Sequence, residues 1–524
     1  MRNGLSKELI ARVLGGAPKY TIPELEDKFP PRNLPEGAYV TRFAPSPTGF
    51  MHIGGLYQVL INSKLAAQTQ GVFMLRIEDT DTKREVKDAV QIILDSLSKF
   101  GLSYNNDEKY GPYYQSRRRD IYHSVAADLL DKGLAYPCFL TAADMEEIRA
   151  KQNAAGFPTG IYGEFARDRD ISEEEIIKHL DNGEVPSIRL YSTGNPAVRI
   201  FCKDAVRGSI SFPENNEDLV LIKSNDGLPT YHFAHLCDDH FMRTTHVVRG
   251  AEWLSSLPLH YQLFRMMGWA PPMYIHTSTL DKLDSDTGKQ RKLSKRHDPE
   301  SNVANLLSDG WPTNAVLEYL FNIIASGYEE SKLKGAVKSI WDYEFRPKKI
   351  PMSGALFDMK KLEWWAKENI AMMAVLDLVK AVVDWANEYG NDVEKSQVRD
   401  IDYLTSVLSI ERDNPKRIRK DFITWKQTLA EVAYFWDDLY QPNREFAFNA
   451  DVLNAFLATF DIADDKDTWW NKIVEIANRY EIKNGDVAMN LRVALTGRTN
   501  TPDLYSIIQV MGETKVRQRV GGIL

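Results

Sequence analysis

The feature that most constrains this chain lies between residues 39 and 75, where a strand, a loop, a helix and a second strand can be read in succession. Tyr39 to Phe43 is a short extended run, and APSPTGFMHIGG, Ala44 to Gly55, follows it with turn-forming residues and a lone histidine. Leu56, Val59, Leu60, Ser63 and Ala67 then fall at helical spacing, and Val72 to Leu75 suits a strand covered on both faces. This pattern predicts a βαβ unit, which requires parallel strands and helices on the faces of the sheet. Val86, Ala89, Val90, Ile93, Leu94, Leu97 and Phe100 predict one apolar face of a second helix.

In an open parallel sheet, ligands bind beyond the carboxyl ends of the strands, and the Ala44 to Gly55 loop falls at that place. Its glycines permit close backbone approach to an anion, and the start of the next helix supplies unpaired N–H groups. The spacing matches neither of the common glycine-rich phosphate loops. Taken alone, the loop reads equally well as an anion site or as a structural turn.

The rest of the composition narrows the class. The 524 residues are enough for three or four domains at about 150 residues each. No apolar stretch approaches the roughly 18 residues that span a bilayer. Cys138, Cys202 and Cys237 include no C-x-x-C pair, which argues against a disulfide framework or a cysteine zinc site and for a reducing compartment. A net charge of -8 argues against a uniformly nucleic-acid-coating protein but leaves room for local basic faces. Residues 1–37 read as an extension carrying the short amphipathic LSKELIARVLGG. We expect it to be untargeted, with a mitochondrial presequence as the alternative.

Distant segments change the reading of the loop. KQRKLSKRHDPE, Lys289 to Glu300, places Lys292 about 240 residues beyond His52, and alone it would be a solvated basic loop. Between them, Thr245 to Val248 reads as a strand ending at Arg249, in THVVRGAEWLSS. Taken in order, RFAPSPTGFMHIGG, RIEDTD, GPYYQSRR, RGAEWL, KLSKR, SGALFDMKKLEWW and LRVALTGRTNTPDLYSIIQVMG resemble the segments of class I aminoacyl-tRNA synthetases of the bacterial glutamyl type. The resemblance covers nearly everything from Tyr39 onward. It implies an α/β Rossmann-type catalytic domain, with halves at 38–120 and 231–300, and an inserted α/β acceptor-end domain at 121–230. An all-α stem-contact domain at 301–370 and an all-α anticodon-binding domain at 371–524 would follow.

The resemblance also implies a reaction and its residues. Glutamate would be joined to AMP at the expense of ATP carrying Mg2+, and then passed to tRNA(Glu), by a cytoplasmic monomer that needs no zinc. His52, Lys292 and Lys295 would be catalytic, and Gly54, Gly55 and Leu293 would join them around ATP. Arg42, Ala44, Ser46, Glu78, Tyr231 and Arg249 would line the glutamate pocket, Arg42 and Arg249 taking carboxylates and Glu78 the α-amino group. Arginine suits this task because it grips a planar carboxylate with two charge-assisted bonds that a neutral amide cannot match.

Four positions depart from the family pattern. Gly55 stands where the class often has histidine, Leu293 where it has methionine, Arg296 where it has serine, and His235 where some members have asparagine. Three basic runs, Arg117 to Arg119, FRPKK at 345–349 and KRIRK at 416–420, are candidate phosphate contacts along a tRNA, as are Arg492 and Arg498. A glutaminyl enzyme is opposed by APSPTG and by the helical periodicity of the C-terminal half. A small nucleotidyltransferase or a shortened tRNA-modifying relative would have no use for that half.

Overall fold

A computed structural model of the protein describes residues 4–81, 86–284, 286–294, 297–413 and 418–524. The chain forms two units, one built from residues up to 303 with 320–357, the other from 304–319 with 358–524.

The first unit contains the expected βαβ start. Strand β1 (Val40–Phe43) and strand β2 (Val72–Leu75) pair in parallel, Val40 opposite Val72, and β1 is buried along its whole length. Later strands complete the layer: β5 (Arg199–Asp204), β6 (Gly208–Pro213), β8 (His246–Gly250) and β9 (Met273–Thr277) form a sheet in the order β6-β5-β9-β8. Here β8 and β5 run parallel to β9, and β6 runs antiparallel to β5. Thr245 N donates to Val40 O at 2.9 Å, which sets β8 beside β1. The spatial order is therefore β2-β1-β8-β9-β5-β6. The hairpin β5–β6 lies within the 121–230 stretch, yet its pairing with β9 ties that part of the stretch to the main sheet.

The helix after the signature loop, α3 (Ile53–Gln68), is buried nearly all round rather than on one side. One face covers the sheet. The other is covered by residues 341–345, where Trp341 O accepts from Lys64 Nζ at 2.9 Å and Phe345 O from Gln68 Nε2 at 2.7 Å. Long polar side chains such as Lys64 can be enclosed because their stems pack and their tips find carbonyls. The next helix, α4 (Ala89–Lys99), buries Ala89, Ile93, Ser96 and Leu97. Val86 falls short of it and is exposed, its N–H donating to Pro47 O at 2.9 Å.

Strands β3 (Ala135–Cys138), β4 (Ser187–Leu190) and β7 (Val220–Ile222) make a small antiparallel sheet, flanked by α5 (Arg119–Asp131), α6 (Ala142–Ala155) and α7 (Glu173–Asp181). The N-terminal residues are part of this fold. Helices α1 (Lys7–Val13) and α2 (Ile22–Lys28) bury Leu9, Ile10, Val13, Leu25 and, just beyond, Phe29 in the same core as Tyr122, Val125 and Leu129 of α5. Glu26 of α2 lies 2.7 Å from His240 and 2.6 Å from Arg243. The extension thus braces helix α8 (Tyr231–Phe241), which carries several residues of the cleft described below.

The second unit is helical, from Met359–Met372 to Glu513–Gly521, around a core including Trp385, Phe422, Phe435, Phe456, Trp469 and Ile508. No helix among the described residues is long and apolar enough to cross a membrane.

Candidate active site

The carboxyl ends of β1, β2 and β8 and the start of α8 converge at the signature loop. Its backbone is pinned from both sides: Pro45 O accepts from Glu78 N at 2.9 Å, and Met51 O accepts from Val303 N at 3.1 Å. Gly49, with φ near 132°, takes a conformation that a side chain would resist. At the loop's end His52 is the N-cap of α3, its Nδ1 accepting from Gly54 N at 2.9 Å. An amide N–H can only donate, so the ring proton sits on Nε2. A Cβ on Gly54 would meet His52 Nδ1 at 3.0 Å, so the glycine protects the cap. Ala44 is half-buried and Ser46 exposed, and a Cβ on Gly55 would touch the Phe43 ring at 3.4 Å.

Behind the loop lies a buried network of three arginines and three carboxylates. Arg42 donates from Nε to Asp239 Oδ1 at 3.0 Å and from Nη2 to Oδ2 at 3.3 Å. Arg76 donates from Nη1 to Asp239 Oδ1 at 2.7 Å and from Nη2 to Glu78 Oε1 at 3.1 Å. Arg118 donates from Nε to Asp238 Oδ1 at 2.6 Å, and Gln115 and Tyr122 also donate to Asp238. His235 Nδ1 lies 2.6 Å from Asp239 Oδ2, and its Nε2 is 3.0 Å from the Tyr274 hydroxyl.

Burial alone would push Asp239 up, but Arg42, Arg76 and His235 outweigh it and hold its carboxyl well below the usual range. Glu78 goes the other way. Its burial outweighs the attraction of Arg76 and Arg42, and its pKa is raised.

Arg249 is surrounded differently. It is only 5% exposed, and among the described residues no carboxylate pairs with it. Its Nε donates to His276 Nε2 at 2.9 Å, and its Nη1 lies 3.2 Å from His260 Nδ1 and 3.4 Å from the Tyr231 hydroxyl. Nη2 donates to Trp253 O at 3.3 Å, and the guanidinium stands 4.8 Å from the centre of the Tyr274 ring. All these partners are neutral. Burial, followed by nearby charge from His235 and Arg249, holds His260 well below its ordinary value, and burial with Arg249 lowers His232 to about 4.

The second signature forms a hairpin, β10 (Leu280–Leu283) against β11 (Gln290–Lys292), with Asp281 opposite Lys292. Arg291 is bound there by acids, donating to both oxygens of Asp298 at 2.6 and 2.8 Å and to Asp284 at 3.0 Å. Backbone and side-chain bonds from Thr287, and then Arg291, lower the Asp284 carboxyl to about 2. Lys292 extends outward, its side chain 62% exposed and Nζ 3.6 Å from Glu252. Leu293 turns inward: its side chain is buried and its N–H bonds Leu280 O at 2.9 Å, which leaves its carbonyl as its polar group for a ligand. Lys295 and Arg296 lie outside the described residues.

Comparison with known proteins identifies the family. Residues 38–364 match the catalytic domain of class I tRNA synthetases (E and Q), and residues 417–524 match an anticodon-binding domain. The first match does not separate glutamate from glutamine enzymes. Full-length relatives do: the chain is 43% identical to a glutamate–tRNA ligase of Clostridium perfringens, over 94% of this chain and 96% of the relative. It is 42% identical to that of Clostridium beijerinckii, over 98% and 99%. The chain belongs to the glutamate–tRNA ligase family.

A solved glutamate–tRNA synthetase of Elizabethkingia anophelis superposes on this family member with a TM-score of 0.75, at 28% identity, over 93% of this chain and 99% of the other. A glutamate–tRNA ligase of Elizabethkingia meningosepticum, solved in complex with its amino acid, gives 0.73 at 26% identity, over 92% and 98%.

Arg42, Glu78, Tyr231 and Arg249 come together at the cleft. Arg118 leaves the basic run, since it is buried against Asp238, while Arg117 and Arg119 are exposed. Arg346 pairs with Glu344 at the surface. In KRIRK, Lys416 and Arg417 lie outside the described residues, Arg419 is held by Asp421 and Lys420 by Glu368. Arg492 donates to the carbonyls of Thr501 and Pro502 at 2.9 Å, and Arg498 pairs with Glu431 at 2.5 Å. The sequence reading missed Arg76, Asp238, Asp239, His260 and His276. Each lay in a segment otherwise apolar enough to be core, and a charged or polar residue in such a place was the available signal.

Proposed function

We propose that the cleft joins the α-carboxylate of L-glutamate to AMP and passes the acyl group to tRNA(Glu). The observation that carries this reading is Arg249, a buried guanidinium that among the described residues is touched by neutral groups alone. Burying an unpaired charge is costly, and an anionic ligand side chain offsets that cost where glutamine's amide does not. Tyr231 closes the same pocket, Ala44 and Ser46 leave room beside the loop, and Glu78 takes the substrate's ammonium. Arg42, which retains one Nη1 contact of only 3.5 Å to Val248 O, is assigned to the α-carboxylate.

In the first step an α-carboxylate oxygen bonds to the α-phosphorus of ATP, the bond to the bridging oxygen breaks, and pyrophosphate leaves. Mg2+ arrives with ATP as part of the substrate. His52 Nε2–H, Gly54, Gly55 and the start of α3 face the phosphates, while Lys292, with the carbonyl of Leu293, approaches from the second signature, and Lys295 of the same signature is assigned the same task. In the second step a ribose hydroxyl of the terminal adenosine attacks the acyl carbon and AMP leaves. Residues 121–230 are assigned to the acceptor end, 301–370 to the stem and 371–524 to the anticodon, in a cytoplasmic monomer.

The test is aminoacylation by purified protein with labelled glutamate or glutamine and tRNA(Glu). Charging with glutamate alone is expected; charging with glutamine and not glutamate would overturn the pocket assignment.

A further inference from the structure

The orientation of Arg249 is determined by a chain of groups that begins on the edge hairpin. Asp204, at the end of β5, is fully engaged. Its Oδ1 accepts the backbone N–H groups of Val206 and Arg207 at 2.9 and 2.8 Å, and its Oδ2 accepts His276 N at 3.0 Å and the His276 Nδ1 proton at 2.8 Å. A carboxylate can only accept, so Nδ1 of His276 carries the proton and Nε2 carries the lone pair. That lone pair receives Arg249 Nε–H at 2.9 Å. His276 is wholly buried on β9, next to Arg249 on β8, the two residues standing opposite each other in the parallel ladder.

On the other side His260 Nδ1 faces Arg249 Nη1, and His260 Nε2 is 2.9 Å from His232 Nδ1. Because the guanidinium only donates, His260 must accept at Nδ1 and donate at Nε2. The plane of Arg249 is therefore held at Nε and Nη1 by two imidazoles in fixed tautomers, and neither cancels its charge. A carboxylate in place of His276 would hold the same plane but neutralise the cation that the substrate must find.

We propose that His276, oriented by Asp204, is the positioning residue that sets the plane of Arg249 and thereby the preference for a side-chain carboxylate over an amide. The proposal rests on the assignment of Arg249 to the glutamate side chain. His276 and Asp204 act through Arg249 and do not touch the substrate. The chain is ordered Asp204 to His276 to Arg249, and each link has a hydrogen bond that one substitution removes.

The experiment is steady-state aminoacylation by the full chain with tRNA(Glu), comparing His276→Leu, His276→Gln, Arg249→Gln and the double variant Arg249→Gln/His276→Leu, with thermal melting as the check on folding. For His276→Leu, KM for glutamate should rise on the order of 10- to 100-fold while KM for ATP stays the same, because misplacing a binding group by an ångström has effects of that size. His276→Gln should recover most of that loss, since its amide offers an acceptor to Arg249 and a donor to Asp204. The double variant should be no worse for glutamate than Arg249→Gln. If His276→Leu does not fold, Asp204→Asn is read in the same way: an amide must turn its NH2 toward two N–H donors, whichever way it faces.

Unchanged KM for glutamate in a folded His276→Leu, equal rises in KM for glutamate and ATP, or additive losses in the double variant would each overturn the proposal. If Arg249→Gln itself leaves glutamate use unchanged, the underlying assignment of Arg249 fails and the proposal with it. If only Arg249→Gln has an effect, that assignment stands and the positioning by His276 alone is lost.

Discussion

Two neighbouring groups of buried arginines in one cleft are treated in opposite ways. Arg42, Arg76 and Arg118, behind β1 and β2, meet Asp238, Asp239 and Glu78, so charge is matched by charge. Arg249, on β8, meets imidazoles, a phenol, a carbonyl and an aromatic face. The first group has the composition of an internal scaffold: removing one partner leaves a buried charge behind, and of its members only Arg42, through Nη1, and Glu78 are assigned a substrate contact. The second has the composition of a binding site, since the cation's charge stays available to a ligand. Burial and a positive charge are common to both, and the difference in partners tells scaffold from receptor.

The largest effect is expected from breaking the scaffold. Asp239→Asn removes the carboxylate shared by Arg42, Arg76 and His235, and should cost about 3–5 kcal/mol of stability, the range for breaking a buried ion pair by removing one partner. Because the folded-state pKa of Asp239 is depressed, its contribution is present above the unfolded carboxylate range and is lost as pH falls through the lower folded value. The wild type should therefore lose stability in acid, and the variant should lose less of what remains. Thermal melting across that range is the measurement; equal melting temperatures for both proteins at neutral pH would contradict the scaffold reading.

Arg249→Gln tests the other half of the comparison. No partner carboxylate is orphaned, so the fold should melt within about 1 kcal/mol of wild type, while kcat/KM for glutamate falls about 10²- to 10³-fold, as for a lost charge-assisted bidentate contact. The ratio of glutamate to glutamine use should shrink with it. A large drop in melting temperature with an unchanged ratio would place Arg249 in the scaffold instead.

The sequence was informative about one of these groups and nearly silent about the other, for a physical reason. The strand ends and the loop could be found because turn chemistry and period mark the carboxyl ends of strands, where ligand groups sit, whereas Arg42, Glu78, Tyr231 and Arg249 were assigned through the family resemblance. Arg118 in the run Arg117 to Arg119 looked like a solvated face, because a run of like charges usually is one. Its partner Asp238 is far away in sequence, and no local period connects them. Yet α8 carries Asp238 and Asp239 among Phe233, Ala234, Leu236, Cys237 and Phe241, all fully buried. Two adjacent acids on a helix otherwise committed to the core require buried cations, and that expectation was available. Arg76 and Glu78 likewise stand two apart, beside one another on the same side of an extended segment. The all-round burial of α3 was not legible, since the 341–345 segment that covers it comes nearly 280 residues after it.

Glu78 straddles the comparison and gives the smallest predicted effect. It is bonded to Arg76 like a scaffold member, yet its burial outweighs the nearby cations and its pKa lies above the ordinary carboxylate value, so this carboxyl is easier to protonate than a free one. A raised acid pKa means that this group's contribution to stability is lost, not gained, as pH rises through the folded value. Glu78→Gln should consequently cost little stability at neutral pH, in contrast to Asp239→Asn. A substrate ammonium opposes that protonation: it binds to the carboxylate, so glutamate affinity should rise with pH through the raised value and fall below it. In Glu78→Gln that limb should flatten, and KM for glutamate at neutral pH should rise about 10-fold, the equivalent of one charge-assisted hydrogen bond. KM for glutamate measured against pH in both proteins decides the matter. Parallel profiles would return Glu78 to the scaffold, whereas a flat variant profile with an unchanged melting temperature would make it the receptor's second charge, opposite in sign to Arg249 and, unlike it, already shared with Arg76.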